Sequence, residues 1–302
     1  MSRQMESTSD GLSAGTSAED PQGLTFGQRF RIRLKKNRLV AAALVCLLLV
    51  VMMGIGAPYL TPYEPQHQNL LRRLQSPTSD HWLGTDEIGR DVLTRIAYGT
   101  RVSLMIGLLG AFGGMVLGVT LGVLAGYYGG RFDNLVMRVV DVMMAFPGIL
   151  LAILIVSILG PNLFNLIVAL TIWGIPSFAR ISRGSVLSVK EMDYVEAARS
   201  LGASGWRIII RHLVINSLSP IIVLTTLSVA TAILTAAGMG FLGLGVQPPT
   251  PEWGAMASTA RHHVRDAPHL IIFPGMAIFF TVLSINVLGD ALRDILDPRL
   301  KA

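Results

Sequence analysis

Charge is scarce in this sequence. Of its 302 residues only 15% are Asp, Glu, Lys or Arg, against 51% hydrophobic, and the mean hydropathy is +0.55. A water-soluble domain of this length needs more charge to cover its surface, so the composition excludes that class and points to a membrane. Cysteine is nearly absent. Cys46 stands alone inside an apolar run, which excludes an intrachain disulfide and leaves a small packing residue. The dipeptide Gly-Lys does not occur, so a phosphate-cradling Walker A loop is impossible and any nucleotide chemistry must lie on another chain. The net charge of +6 resides on basic residues at the ends of apolar runs rather than among aromatics, which argues against nucleic acid.

What the chain does have is long apolar runs. A helix needs about 20 apolar residues to cross roughly 30 Å of hydrocarbon. Six segments qualify, at about 39–60, 102–127, 135–159, 162–181, 217–240 and 270–290. The fold class expected is therefore an all-α polytopic membrane protein with six transmembrane helices. With the N-terminus inside, the inner segments carry eighteen Lys and Arg and the outer ones seven, so both termini are expected in the cytoplasm. Residues 1–28 read as a disordered cytoplasmic tail. Residues 29–60 form a basic segment and the first span, and 61–100 an extracytoplasmic loop. Residues 101–290 hold the other five spans, with an inner loop at 184–216, and 291–302 form a cytoplasmic tail.

Between their end zones the six spans contain no Asp, Glu, Lys, Arg or His; Arg138 and Asp141 stand near the inner end of the third. Ion-coupled carriers place ionisable groups at that depth, so this class is disfavoured. No nucleophile–base pair or metal-ligand set lies there either, which argues against an intramembrane enzyme. His262 and His263 are adjacent on the outer side without a third ligand and read as surface residues. In the second span Gly110, Gly114, Gly118, Gly122 and Gly126 recur every four residues, one stripe on a helix where another backbone can approach closely. The spacing favours packing over conduction, without naming the partner helix. Pro147, Pro176 and Pro274 fall in later spans and bend them, as static kinks or as flexing points.

One stretch is out of place in so oily a chain. In EAARSLGASGWRII, residues 196–209, Tyr194, Ala197, Ala198 and Leu201 share one side of a helix, while Glu196 and Arg199 are spaced to pair. Gly202 suits the left-handed position that ends a helix, and Ser204 can cap a second one of about two turns. The product is a cytoplasmic helix–Gly–helix knuckle. Residue chemistry alone leaves docking on a soluble partner and a solvated loop helix level.

The run from Tyr194 to Ala203, continued by Trp206 and Arg207, resembles the EAA motif of ABC importer permeases. The resemblance implies a type I ABC importer permease fold with a coupling helix, and it carries the ATPase-coupling role to Glu196, Ala197, Ala198, Gly202, Ala203, Trp206 and Arg207. Where the family usually has an Ile-Leu-Pro-Asn end, this sequence has Leu213, Val214, Ile215 and Asn216, leaving Pro220 to supply a break. HWLGTDEIGRDVL at 81–93, GFLGLGVQPPTPEWG at 240–254 and NVLGDALRD at 286–294 are similar to the C-type permeases of dipeptide, oligopeptide, glutathione and nickel importers. Locally, Thr85 or Asp86 can start a short outer helix supported by Asp91 and Arg95, and the Gln-Pro-Pro-Thr-Pro run ends the fifth span in a stiff loop.

The resemblance implies a non-catalytic subunit without cofactors in a bacterial or archaeal plasma membrane. Its implied partners are a second homologous permease, two cytoplasmic ATP-binding subunits, an extracytoplasmic solute-binding protein and membrane lipid. Short peptides are the expected cargo. Nickel or glutathione import on the same architecture is the alternative, and an ATP-independent secondary carrier is the remoter one. Apolar and small residues at the pore would leave cargo choice to the binding protein; no substrate-binding residue is assigned.

Overall fold

The computed structural model describes residues 26–296, so most of the expected 1–28 tail lies outside the described residues. Twelve α-helices are described: α1 (Phe26–Lys36), α2 (Arg38–Ile55), α3 (Ala57–Leu60), α4 (Val92–Tyr128), α5 (Gly130–Ala145), α6 (Gly148–Leu159), α7 (Leu163–Lys190), α8 (Asp193–Ser200), α9 (Gly205–Ile208), α10 (Leu218–Phe241), α11 (Trp253–Ala260) and α12 (His269–Leu296). Short polar residues cap three of the long ones. Asn37 accepts from the Leu39 N–H, Asp91 from that of Thr94 and Asn162 from that of Asn165, each pairing a donor that the helix itself leaves free.

Five helices, α2, α4, α7, α10 and α12, are long and apolar enough to cross a membrane. The expected third span, 135–159, is not one helix. Pro147 supplies no donor and holds Phe146 extended, so α5 and α6 meet there at 91°. With twelve residues, α6 is about 18 Å long, short of a crossing by itself. Pro176 and Pro274 behave differently, since α7 and α12 continue through them.

Other boundaries move outward. The second span begins at Val92 inside the expected 61–100 loop, the last helix runs to Leu296 inside the expected 291–302 tail, and the basic segment is itself helical from Phe26. Its Arg33 pairs with Asp294, tying α1 to the end of α12.

The bundle is organised on α4 and α7. All five glycines of the stripe are buried, and α7 of the same chain fills it. A Cβ at Gly110 would come within 2.9 Å of Leu170 Cβ, and one at Gly118 within 2.6 Å of the Ile175 carbonyl oxygen. At Gly114 the neighbour is the Cα of Gly174, at 3.1 Å, so the two backbones touch. One turn before the stripe, Gly107 of α4 receives Ile233 of α10. Large apolar side chains such as Leu49, Phe112, Leu154 and Phe279 remain exposed, the surface a lipid-facing helix requires.

At Gly122 an added Cβ would run into the Ala179 carbonyl oxygen and Ser182 Oγ, and a carbonyl in a buried helix cannot step aside. Gly122→Val should therefore destabilise the purified protein by about 1–3 kcal/mol in a detergent thermal melt, whereas Gly184→Ala, in open space, should melt like the native chain.

Candidate functional site

The inner loop begins where α4 and α7 end together. Lys190 at the last turn of α7 donates its ammonium to the Tyr127 carbonyl at 2.8 Å. Two turns earlier in α7, Arg183 grips Asp133 of α5 through two hydrogen bonds of 2.5 and 2.6 Å, and Arg180 reaches Asp141 at 2.7 Å. These pairs are not evident in the sequence, because their members are about 40–50 residues apart and only the fold of α5 against α7 brings them together.

Helix α8 then ends in a left-handed Gly202, φ +80°. The Ala203 N–H bonds back to the Ala198 carbonyl and the Gly202 N–H to that of Arg199, each at 3.0 Å, the two closures of a Schellman motif. Ser204 caps α9 by accepting from the Arg207 N–H at 3.4 Å. Instead of the two α-turns expected, α9 gives one, and a π-helical turn follows from Ile209 to Val214. Ile215 stays helical, Asn216 donates to the His212 carbonyl at 2.6 Å, and the turn into α10 falls at Ser217. Pro220 makes no break. It occupies the first turn of α10, where a missing N–H leaves nothing unpaired.

The knuckle is anchored by residues the sequence did not single out. Val195, Ile208, Ile209 and Leu213 are buried in one cluster with Val123 of α4 and Val186 of α7. The side carrying Tyr194, Ala197 and Leu201 is consequently turned away from the chain's own core. Glu196, Ala197, Gly202, Trp206 and Arg207 are exposed, with Ala198 and Ala203 half-buried. Leu201 is 88% exposed and Trp206 70% exposed, large apolar side chains left mostly uncovered by the described residues. Among the described residues, Glu196 and Arg199 form no ion pair.

The outer end is built differently. No helix starts at Thr85 or Asp86; residues 61–91 fold as a compact loop, with Thr85 bridged to Asp91 and left-handed glycines at 84 and 89. A side chain at Gly89 would enter the backbone of Asn69, so no other residue fits that turn. Asp91 does not support Arg95. It caps α4 and takes His81 Nδ1 at 3.0 Å, while Asp86 takes Arg90 at 2.6 Å and Arg95 at 3.6 Å.

A second outer element is α11, wedged between α10 and α12. Its N-cap Glu252 is 1% exposed and accepts from the Gly254 and Ala255 N–H groups, each at 2.8 Å, and from Ser103 Oγ of α4 at 3.3 Å. Trp253, fully buried, donates from Nε1 to the Ile96 carbonyl at 3.2 Å. Glutamate is an unusual cap, and its position after Pro251 hid the role. His262 is exposed and His263 partly so.

Comparison with known proteins gives this arrangement its context. Residues 118–302 match the family model described as binding-protein-dependent transport system inner membrane component. Residues 25–77 match the N-terminal transmembrane domain of oligopeptide transport permease C. The chain is 49% identical over 278 residues to the glutathione transport system permease protein GsiD of Pectobacterium atrosepticum, covering 92% of this chain and 91% of that one. It is 47% identical over 270 residues to the dipeptide transport system permease protein DppC of Alkalihalophilus pseudofirmus, covering 89% of each. Among solved structures, an inward-facing form of the MetNI methionine ABC transporter superposes with a TM-score of 0.55 at 21% identity, over 67% of this chain and 96% of that one, a likeness of fold.

Glu252 yields a pH signature. Burial, the largest influence, pushes its carboxyl above the ordinary value, against the hydrogen bonds from Gly254, Ala255 and Ser103 that favour the charged form. The folded state then binds the proton more tightly than the unfolded state, so this group's contribution to stability falls as pH rises from about 4.3 toward the raised value. Melting temperatures across that range should show the decline in the native protein and lose it in Glu252→Gln. The unbroken likeness to transport permeases from the first span to the last places the chain in the inner-membrane components of binding-protein-dependent transport systems, as a C-type membrane permease subunit of an ABC importer.

Proposed function

We propose that this permease imports short peptides, with residues 193–214 as the point where ATP hydrolysis on other subunits acts on the membrane helices. The observation carrying the coupling role is the outward-facing knuckle. Its inner face is fixed on α4 and α7, and its outer face presents Leu201, Trp206, Glu196 and Arg207 exposed. An apolar knob ringed by charge, held by a rigid turn, suits insertion into a cleft on a soluble protein. The occupant is one of two cytoplasmic ATP-binding subunits. A second permease completes the path, and an extracytoplasmic binding protein delivers cargo to the outer face. Both termini lie in the cytoplasm, in line with the eighteen-to-seven excess of basic residues on the inner segments.

Peptide cargo rests on the relatives named for glutathione and for dipeptides, both short peptides or their close kin. Uptake of labelled glutathione, a labelled dipeptide and nickel by cells with and without this chain decides among them. Loss of uptake of either peptide supports the reading, and loss confined to nickel overturns it.

The knuckle is tested separately. Gly202 has open space around its Cβ position but a left-handed backbone, so Gly202→Val imposes strain on the order of 1–3 kcal/mol on the turn without a packing clash. Gly202→Val, and the charge reversal Glu196→Lys, should abolish uptake while the protein reaches the membrane at native levels by immunoblot. Normal uptake in both would remove the coupling role.

A further inference from the structure

A cavity of about 210 Å³ opens on the bundle surface between α4, α7 and α10. The residues lining it, Ala111 on α4, Ser177 on α7 and Ser228 on α10 among them, lie away from both ends of their helices, so the cavity sits within the length of the bundle. Its floor exists because α4 and α7 touch at Gly114 and Gly174. Trp173 forms one wall, its indole Nε1 lying so close to Gly148 that no Cβ fits there.

Some hydroxyls of α7 and α10 are bonded back to their own helix, and two that border the cavity are not. Ser182 donates to the Phe178 carbonyl at 2.6 Å and Thr225 to that of Ile221 at 2.7 Å, the usual way a helix absorbs such a group. Ser177 and Ser228 make no side-chain hydrogen bond within the described residues. Thr231 spends its proton on the Leu227 carbonyl at 3.0 Å and keeps its oxygen lone pairs. Pro176, next to Ser177, has no N–H to give the Ile172 carbonyl one turn back. Unspent donors and acceptors are costly within a membrane bundle, where lipid supplies neither.

We propose that the notch at Trp173, Ser177, Ser228 and Thr231 is a subsite for the backbone amides of a short peptide in transit. Rested on the peptide reading above, this names where the cargo is touched. No ionisable side chain lines the cavity, so its chemistry matches neutral groups that both give and take hydrogen bonds, which is what a peptide bond presents. Its volume is below the roughly 300–1,000 Å³ of a complete ligand pocket, so it is one wall of a site. Ser177 and Thr231 are exposed toward the missing wall, which a second permease supplies.

The test uses the assembled importer with its ATPases and binding protein in proteoliposomes. In a Cys46→Ala background, Ser228→Cys and Thr231→Cys are treated with a cationic methanethiosulfonate reagent, with and without trialanine. The subsite requires that both cysteines react and that trialanine during turnover slows the reaction. Thr231→Val and Ser228→Ala, which delete hydroxyls with little change of shape, should each lower trialanine uptake about fivefold at saturating binding protein. Thr231→Ser should keep it, and all three variants should assemble with the ATPases at native levels by immunoblot. Cysteines that never react would mean the partner seals the notch and overturn the proposal. So would reaction indifferent to trialanine, with native uptake in Thr231→Val. Failure of the peptide reading looks different, since the unmodified importer would then move no trialanine.

Discussion

Backbone contact between α4 and α7 is the constraint on which the rest of the structure depends. Lipid offers no hydrophobic drive for one helix to leave it for another, so association relies on close van der Waals contact. The glycine stripe provides that contact along four turns, from Leu170 beside Gly110 to Val186 beside Gly126. Because α7 is fixed along this length, its last turn is fixed too, and with it the start of the inner knuckle. The same contact sets where Trp173 and Ser177 stand along the bundle, so the inner loop and the notch are consequences of one seam.

Polar groups are sorted by depth around that seam. Charges occur at the two ends and are paired there: Asp133 and Asp141 with arginines of α7 on the inner side, Asp86 and Asp91 with Arg90 and His81 on the outer. Buried capping groups such as Glu252 and Asp91 spend their oxygens on helix N–H donors, which lets helices begin inside protein without orphaned amides. The middle is left to hydroxyls.

The sequence made visible whatever depends on neighbours along one helix. The five long spans, the glycine periodicity, the helix-ending Gly202 and the Ser204 cap all follow from spacing within a few residues, and the structure places them there. What stayed hidden depends on contacts between distant segments. Hydropathy could not separate one third span from two helices at 91°, because α6 is apolar and the break turns on Phe146 and Pro147 alone. The same proline chemistry at 176 and 274 left its helices intact, since neighbouring segments decide whether the bend is taken. Val195 and Glu252 looked unremarkable in sequence, yet each is among the most buried residues of its region. Motif resemblance directed attention to Glu196 and Trp206, while the packing that holds them outward came only from the fold.

The length of α4 has a mechanical consequence. Its 37 residues make a rod of about 55 Å, well beyond the thickness of the hydrocarbon layer. Near its outer end it is clamped by Trp253 and Glu252, and at its inner end Tyr127 is bound by Lys190 and lies against Gly205. A lever of that length turns small angles into large displacements: tilting it by about 5° moves one tip past the other by about 5 Å. Events at the two water-facing surfaces therefore share one stiff beam.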